Sequence, residues 1–475
     1  MLATVMSRPS SNLVLGSSLI GLAPSLLLLA DIALGNPLEQ QRPLRPGLPR
    51  WMEDYRFLED ERKQTDPFDA LRFHRLSESS WLQTGGEIRY RADSVEKPFF
   101  GLRGSNDDSV LMQRLQAHAD VHLFDGGLRI FTQVQNTRAW GKDSPSPTDE
   151  SRNDIQQAFM DGRFELGGSA LTARLGRQEM AYGAQAFVTY RETPNVRQAF
   201  DGLRLSIEWT ERTRLDAFAV RPVRIGKDAF DDGSNNQVKF YGLYGTLPLS
   251  SQWNMDLYAF GLETARRTLA GLTGPEQRYT FGTRVFGKSG ALDWSWDLAG
   301  QSGTLAAGRI RAWGGSTDSG YNFSSAWRPR LGLRVDAASG DRQTGDKQVE
   351  TFDPLFARNG VYGEAALITL SNVIIVGPVL AFSPWPTVRI EPGVFKAWRQ
   401  SDGDAVYVPG MVTALPSAEG KGREIGTIAR ANLRWFASSN LTLDLDYKYY
   451  DVAETVRDAG GDNSQFLSLR GTFRF

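Results

Sequence analysis

Apolar and polar residues alternate along most of the chain after residue 80. The segment 203–209 is the clearest example. Its apolar face carries Leu203, Leu205, Ile207 and Trp209. Its polar face carries Arg204, Ser206 and Glu208. A period of two is typical of a β-strand with one apolar and one wet face, so the pattern predicts strands and raises the question of which solvent covers the apolar face.

Other segments repeat this pattern with heavily charged polar faces. In residues 441–449 the polar face carries Thr442, Asp444, Asp446 and Lys448. In the last segment it carries Ser468, Arg470, Thr472 and Arg474. Near residues 113–123 it carries Arg114, Gln116, His118, Asp120 and His122. A soluble sandwich buries its apolar faces against each other and does not need near-constant strand length over so long a stretch.

Short and long connections alternate between these segments. Residues 125–127 and 167–168 form tight turns, whereas 181–199 is long and 341–370 is the longest connection. About eighteen strands result, most of them long enough to cross a bilayer. This layout predicts an all-β, transmembrane, antiparallel up-and-down β-barrel of the Gram-negative outer membrane, with both termini periplasmic. A barrel of that size leaves an aqueous lumen.

The first 80 residues differ from the rest. Arg8, the apolar run Leu13–Ala30 and the small residues near Gly35 predict a signal peptide over 1–35, with an uncleaved helical anchor as the alternative. Residues 36–80 are polar and proline-rich, which predicts a periplasmic arm with a short helix near Trp51–Lys63. The barrel is then expected over 81–475.

Composition narrows the possible functions. The 475 residues contain no cysteine, which excludes disulfides and thiol chemistry, and the net charge of −1 does not support a basic surface for nucleic acid. A mean hydropathy of −0.36 is too polar for a helical membrane protein but not for a barrel. Among the basic residues, 44 are Arg and 10 are Lys. Arg grips carboxylates with a planar fork, although codon bias explains the same excess.

Several arginines fall on inferred inward faces, where rings of Arg select anions. These candidates are Arg114, Arg129, Arg174, Arg204, Arg330, Arg334, Arg430, Arg434, Arg470 and Arg474. The alternative is a wall network in which each Arg satisfies an inward Asp or Glu. Arg191 and Arg197 lie in the long loop 181–199, which either folds inward and narrows the pore or stays at the surface.

Other chemistries receive little support, and we expect neither an enzyme nor a cofactor. His118 and His122 share a strand face but lie about 13 Å apart by strand rise, too far for one zinc ion. The acidic stretches 401–404 and 231–233 lack the spacing of a twelve-residue calcium loop, so turn chemistry explains them better. A Ser–His nucleophile pair has no supporting pattern.

One block of sequence resembles a known family. Gly176-Arg177-Gln178, Met180 and Tyr182-Gly183 precede Arg191, Pro194-Asn195, Arg197, Phe200-Asp201-Gly202 and Arg204. Weaker echoes are Ser339-Gly340-Asp341, Asp353-Pro354-Leu355 and Tyr362-Gly363-Glu364-Ala365. Together they resemble the alginate export family of outer-membrane β-barrel porins, from about residue 80 to the C-terminus. The resemblance implies a porin-like channel for an anionic polymer and adds Arg177 to the pore-lining candidates.

These patterns predict a passive outer-membrane channel for anions. Export of an anionic polysaccharide such as alginate is the leading hypothesis, and uptake of small organic acids or aromatic solutes is the alternative. Expected partners are outer-membrane lipid and lipopolysaccharide, periplasmic secretion proteins, and the barrel assembly machinery through the terminal aromatic Phe475.

Overall fold

The structure is a computed structural model that describes residues 49–475, apart from 105–106, 143–144, 344, 359–366 and 418. The predicted signal peptide, the start of the predicted arm and the Tyr362–Ala365 echo lie outside the described residues.

Eighteen long strands form the body of the protein. Numbered in chain order they are β1 Ser80–Glu96, β2 Asp108–Leu123, β3 Leu128–Trp140, β4 Ser151–Leu166, β5 Ser169–Gln178, β6 Phe200–Thr210, β7 Thr213–Arg224, β8 Val238–Pro248, β9 Trp253–Leu269, β10 Leu272–Ser289, β11 Leu292–Leu305, β12 Gly308–Asn322, β13 Arg330–Ala338, β14 Val373–Trp385, β15 Val388–Trp398, β16 Glu424–Phe436, β17 Leu441–Val452 and β18 Ser464–Arg474.

The strands close into one barrel. Each strand pairs antiparallel with the next, and β18 pairs with β1 from Glu87 opposite Arg474 to Glu96 opposite Gln465. No barrel strand is therefore left with an open edge that could pair with another chain. The predicted fold class and the predicted eighteen strands are confirmed.

Burial in this barrel is the reverse of that in a soluble protein. Leu175 and Leu469 on the outer face are 58% and 52% exposed, whereas Arg114 and Asp256 on the inner face are 0% exposed. Large apolar side chains in continuous exposed rows require an apolar solvent, and an outward apolar band is typical of outer-membrane barrels. The inward and outward faces predicted for 203–209, 441–449 and 467–475 agree with this arrangement.

The two ends of the barrel differ. At the turn end, where β1 begins and β18 ends, connections span two to seven residues. At the opposite loop end lie the long connections 179–199, 339–372 and 399–423. A two-residue turn at 270–271 also lies at the loop end, because β9 and β10 continue past a bulge between Thr264 and Arg267.

Residues 49–77 precede the barrel. Three 3₁₀ turns (Arg50–Met52, Arg56–Glu59 and Glu61–Lys63) replace the helix predicted near Trp51–Lys63, and one α-helical turn follows at Asp69–Arg72. A short strand, Phe73–Ser77, then pairs with the start of β1. Within the described part of the chain, no helix has the length and apolar character to cross a bilayer.

Two glycines of the recognised block are required by close strand contact. Gly176 and Gly202 face each other across β5 and β6, with φ of +130° and +153°. A Cβ on Gly176 would lie 2.3 Å from the carbonyl oxygen of Ala158, and one on Gly202 would lie 2.3 Å from that of Ala219. Both positions therefore exclude any side chain.

We expect Gly176→Ala to destabilise the barrel by about 1–3 kcal/mol, because alanine is strained at this φ and clashes with backbone. Gly300→Ala in β11 is the matched control, since no atom lies within 4 Å of its added Cβ. The folded fraction on unheated gels across a urea series measures both variants. Equal urea midpoints for the two would contradict the prediction.

Candidate functional site

Cross-strand ion pairs line much of the lumen wall. Arg174 donates to Asp161 directly opposite it at 2.7 and 2.8 Å. Arg129 donates to Asp120 at 2.8 and 2.6 Å. Further wall pairs are Arg204–Asp216, Arg330–Asp293, Arg434–Asp444 and Arg470–Asp444 between strands, and Arg334–Asp336 within β13. Most arginines predicted on inward faces thus point inward and already hold a carboxylate.

A buried charge cluster joins the wall to the loop 179–199. Glu87 of β1 accepts hydrogen bonds from Arg114 at 2.8 Å and from Arg474 at 2.9 Å. Glu192, from the loop, accepts from Arg114 at 2.6 Å and from Arg89 at 3.2 Å, and forms an ion pair with Arg197. The loop therefore inserts into the barrel, which is the inward alternative left open for Arg191 and Arg197.

Asn195 anchors that loop. Its side-chain amide donates to three main-chain oxygens, those of Gln113 and Asp149 at 2.9 Å and that of Arg138 at 3.2 Å. Asn195 is 1% exposed. One amide thus ties the loop to β2, β3 and the connection between β3 and β4.

Aromatic rings fix the other side of the same loop. Tyr182 stacks on Tyr244 of β8 at 4.6 Å and on Phe218 of β7 at 5.6 Å. Phe187 packs edge-on against Phe352 of the connection 339–372 at 5.6 Å. These rings belong to one apolar cluster inside the barrel, which fills that side of the lumen.

The two long loops pair with each other inside the barrel. The main-chain nitrogen of Phe356 donates to the oxygen of Phe187 at 2.9 Å, and that of Thr189 donates to the oxygen of Phe356 at 3.0 Å. Arg191 donates to the main-chain oxygens of Leu355 and Ala357, both at 3.3 Å. The paired loops therefore form a partition within the lumen.

Arg358 projects from this partition. Its main-chain nitrogen donates to Gln185 oxygen at 3.2 Å, while its side chain is exposed. Among the described residues no carboxylate lies within ion-pair distance of it. Enclosure by the barrel, followed by the nearby cations of Arg334 and Arg434, lowers the pKa of Arg358 from its ordinary value. Arg358 is therefore a loop cation with two other cations nearby, and Tyr190 and Glu391 act against them.

Arg358 was not among the predicted site residues. It lies in the 339–372 connection, where no strand alternation indicates a direction for the side chain. The only nearby signal is the weak family echo at Asp353–Leu355.

Arg177 corrects the predicted set, because it lies on the outer face. It shares the outward alternation of Leu175 and donates at 2.8 Å to Asp201, its cross-strand partner on the same face. It also donates to Ile155 oxygen at 3.0 Å. Arg177 therefore supports the rim of the barrel and does not line the lumen.

The N-terminal segment enters the lumen from the turn end. Arg50 donates to the main-chain oxygen of Phe475 at 2.9 Å, on the β18 side. The ring of the next residue, Trp51, lies 4.0 Å from the guanidinium of Arg174 in β5, and Trp51 oxygen accepts from Arg129 at 2.5 Å. Adjacent residues thus contact well-separated parts of the wall, so this segment narrows the turn end.

Comparison with known proteins agrees with this architecture. Residues 80–469 match the family model described as alginate export. The chain belongs to the alginate export family. No curated protein matches it.

The family member resembles solved porins of Pseudomonas aeruginosa. OccK2 (OpdF) superimposes with a TM-score of 0.55 at 11% identity, covering 83% of this chain and 97% of that one. OccD3 (OpdP) gives 0.54 at 13% identity, with 85% and 93% covered. A further OccK2 structure, solved in complex with glucuronate, gives 0.54 at 11% identity, with 83% and 98% covered. Fold and family together make this protein a Gram-negative outer-membrane channel, of a class without enzymatic activity.

In this member of the alginate export family, two histidines stack on aromatic rings, and a loop aspartate accepts hydrogen bonds from the protein itself. His118 stacks on Phe131 at 5.6 Å, and His122 stacks on Trp81 at 4.6 Å. Asp404 accepts hydrogen bonds from Tyr407 and the Ala405 main-chain nitrogen nearby, and also from Thr351 and the Asp341 main-chain nitrogen of the connection 339–372, so local turn chemistry is only part of its role.

A second acidic group lies at the loop end. Oxygens of Asp154, Asp231 and Asp232 come within 4.8 Å of one another. Each carboxylate also accepts a loop amide, from Asp232, Asp228 and Gly226 respectively. Among the described residues these three make the one group with spacing suited to a metal ion, and their amide bonds account for the arrangement without one.

We expect Glu192→Gln to raise anion selectivity several-fold, because it removes the negative charge shared by Arg89, Arg114 and Arg197. Burial alone raises the pKa of Glu192, but the arginines outweigh burial and hold it well below its ordinary value. Glu192 therefore stays ionised from neutral pH down to pH 5, and the difference in selectivity between the variant and wild type should be constant across that range. Reversal potentials in planar bilayers under a salt gradient measure both effects; a shift toward cations would refute this role.

Proposed function

We propose that this channel passes anions by passive diffusion, with Arg358 at its selective point. The supporting observation is a cation on the loop partition near Arg334 and Arg434. Arg334 and Arg434 hold wall carboxylates at 2.7 and 2.6 Å. Arg430 lies over the ring of Phe395 at 4.9 Å. A guanidinium that no carboxylate of the described chain neutralises offers its donors to a passing anion.

We assign selectivity to only a few residues because most arginines of the lumen wall are paired with carboxylates. Arg114, Arg129, Arg174, Arg204, Arg470 and Arg474 each hold a wall carboxylate. A paired guanidinium contributes little net field at a distance, because the nearby carboxylate cancels it. The loop cations then determine which charge is accepted.

We infer that the substrate carries carboxylates on sugar rings, as an anionic polysaccharide such as alginate does. The family description supports this, and so does the likeness to OccK2, one structure of which is a complex with glucuronate. Guanidinium matches carboxylate geometry bidentately. Uptake of small organic acids is the second candidate, favoured by the shared fold of the Occ porins.

We also propose the orientation of the chain. Outer-membrane barrels place short turns in the periplasm and long loops outside, which puts the turn end and both termini on the periplasmic side. Phe475, whose main chain pairs with Gly86 of β1, would be the signal read by the barrel assembly machinery.

Arg358→Gln should lower the ratio of anion to cation permeability several-fold, because it removes a lumen cation that has no described carboxylate partner. Arg177→Gln is the matched control: it removes the same charge from the outer face and should leave the ratio unchanged. Reversal potentials of the two variants in planar bilayers measure the ratio of anion to cation permeability. Equal ratios for Arg358→Gln and wild type would refute the proposed selective point.

Substrate size separates the two candidates. Polyuronate added to one side should block single-channel current in wild type and block it several-fold less in Arg358→Gln. Block by monomeric uronate with none by the polymer would favour the uptake porin over the exporter.

A further inference from the structure

We propose that Arg309 and Arg311 form a binding site for the phosphate groups of an outer-leaflet glycolipid. The site lies on the outside of the barrel and takes no part in conduction. It rests on the proposed orientation, in which the loop end faces the outer leaflet.

Both arginines point away from the lumen. In β12 the inward side chains of Ile310 and Ala312 are 1% and 6% exposed, whereas Arg309, Arg311 and Trp313 alternate with them and are exposed. Trp313 is 49% exposed, as befits a residue of the apolar band. The two cations continue the outward row directly beyond it.

Their height matches the edge of the hydrocarbon. On the neighbouring β11 the outward row runs from Leu292 through Trp296 and Leu298 to Ser302, which is the cross-strand partner of Arg311. Ten residues of a tilted strand rise by about 25 Å, the height of the apolar band in such barrels. Arg311 therefore lies where lipid headgroups begin.

Three other outward cations at this end hold a carboxylate of the chain itself. Arg177 holds Asp201 at 2.8 Å, and Lys239 holds its cross-strand partner Glu263 at 3.0 Å. Lys396 of β15 forms an ion pair with Glu424. The rim is thus charge-balanced at these strands.

At β12 the corresponding neighbours carry no charge. Arg309 lies opposite Thr304 of β11 and beside Gln348 of the long loop, and Arg311 lies opposite Ser302. Among the described residues no carboxylate lies within 4 Å of either guanidinium. Hydroxyl and amide groups lie at the positions where Arg177, Lys239 and Lys396 have acids, and these groups can donate to phosphate as well.

The approach from the membrane is open. The connections at 270–271 and 306–307, which flank this sector, are each two residues long. Lys347, also exposed, lies next to Gln348, and Asp346 beside it accepts from the Gln348 main-chain nitrogen at 2.7 Å. Guanidinium binds phosphate bidentately, and exposed rings beneath it, Phe281 and Trp313, suit acyl chains.

Lipid binding to the purified full-length channel tests the site. Native mass spectrometry of delipidated protein would measure binding of diphosphoryl lipid A, of its dephosphorylated form and of phosphatidylglycerol. The double variant Arg309→Gln/Arg311→Gln is compared with Arg177→Gln/Lys239→Gln, which removes the same charge from paired rim positions. Both should keep the heat-modifiable fold and wild-type conductance.

We expect the first double variant to bind diphosphoryl lipid A roughly tenfold more weakly, and the control to bind like wild type. Dephosphorylated lipid should bind weakly to all three proteins. Equal binding by all variants, or equal binding of lipid lacking phosphate, overturns the site. Equal binding of phosphatidylglycerol overturns its assignment to a glycolipid. Anion selectivity, measured on the same preparations, reports on the lumen alone, so failure here is separate from failure of the proposed function.

Discussion

Pairing of arginine with carboxylates on neighbouring strands is the interaction on which this barrel depends. One strand face meets lipid, so charge accumulates on the other, and a guanidinium enclosed there without a partner is unfavourable because it loses hydration. Direct cross-strand opposition, as between Arg174 and Asp161, supplies that partner at 2.7 Å without any extra element. The register that aligns apolar residues outward thus aligns opposite charges inward. The lumen wall is therefore hydrated but carries almost no net charge.

A neutral wall leaves the loops to give the lumen its character. The loop 179–199 contributes Glu192 to a buried arginine cluster and Asn195 to three main-chain oxygens. It also pairs with the connection 339–372, and that pairing holds Arg358 in the passage. The described parts of the two loops satisfy backbone polar groups in this way, so they form a partition within the lumen. The connections between strands, and not the strands themselves, therefore determine where charge lies in the lumen.

Period-two alternation was sufficient to predict the barrel, its strand number and the faces of strands such as β6 and β18. The same alternation places Arg177 on the outer face, because Arg177 lies an even number of residues from the outward Leu171 and Leu175. Only the family resemblance had assigned Arg177 to the lumen. Loop placement was not predictable in this way, since Asn195 reaches a carbonyl 82 residues away in sequence. Arg358 had no local pattern at all, because a long irregular connection carries no periodicity.

The distinction between paired and unpaired arginines matters more than their number. With 44 Arg and a net charge of −1, most guanidinium groups already hold an internal acid. A second anion then gains little, since it meets the repulsion of the first carboxylate as well as the attraction of the cation. An unpaired guanidinium lacks that repulsion, so an external anion takes the place of the missing acid. Among the described residues no carboxylate pairs with Arg358 inside the barrel or with Arg309 and Arg311 outside it, so these cations meet this condition, one facing water and the others facing lipid headgroups. The same absence of a neighbouring carboxylate therefore suits one residue to transient contact with a moving solute and the others to a resident lipid.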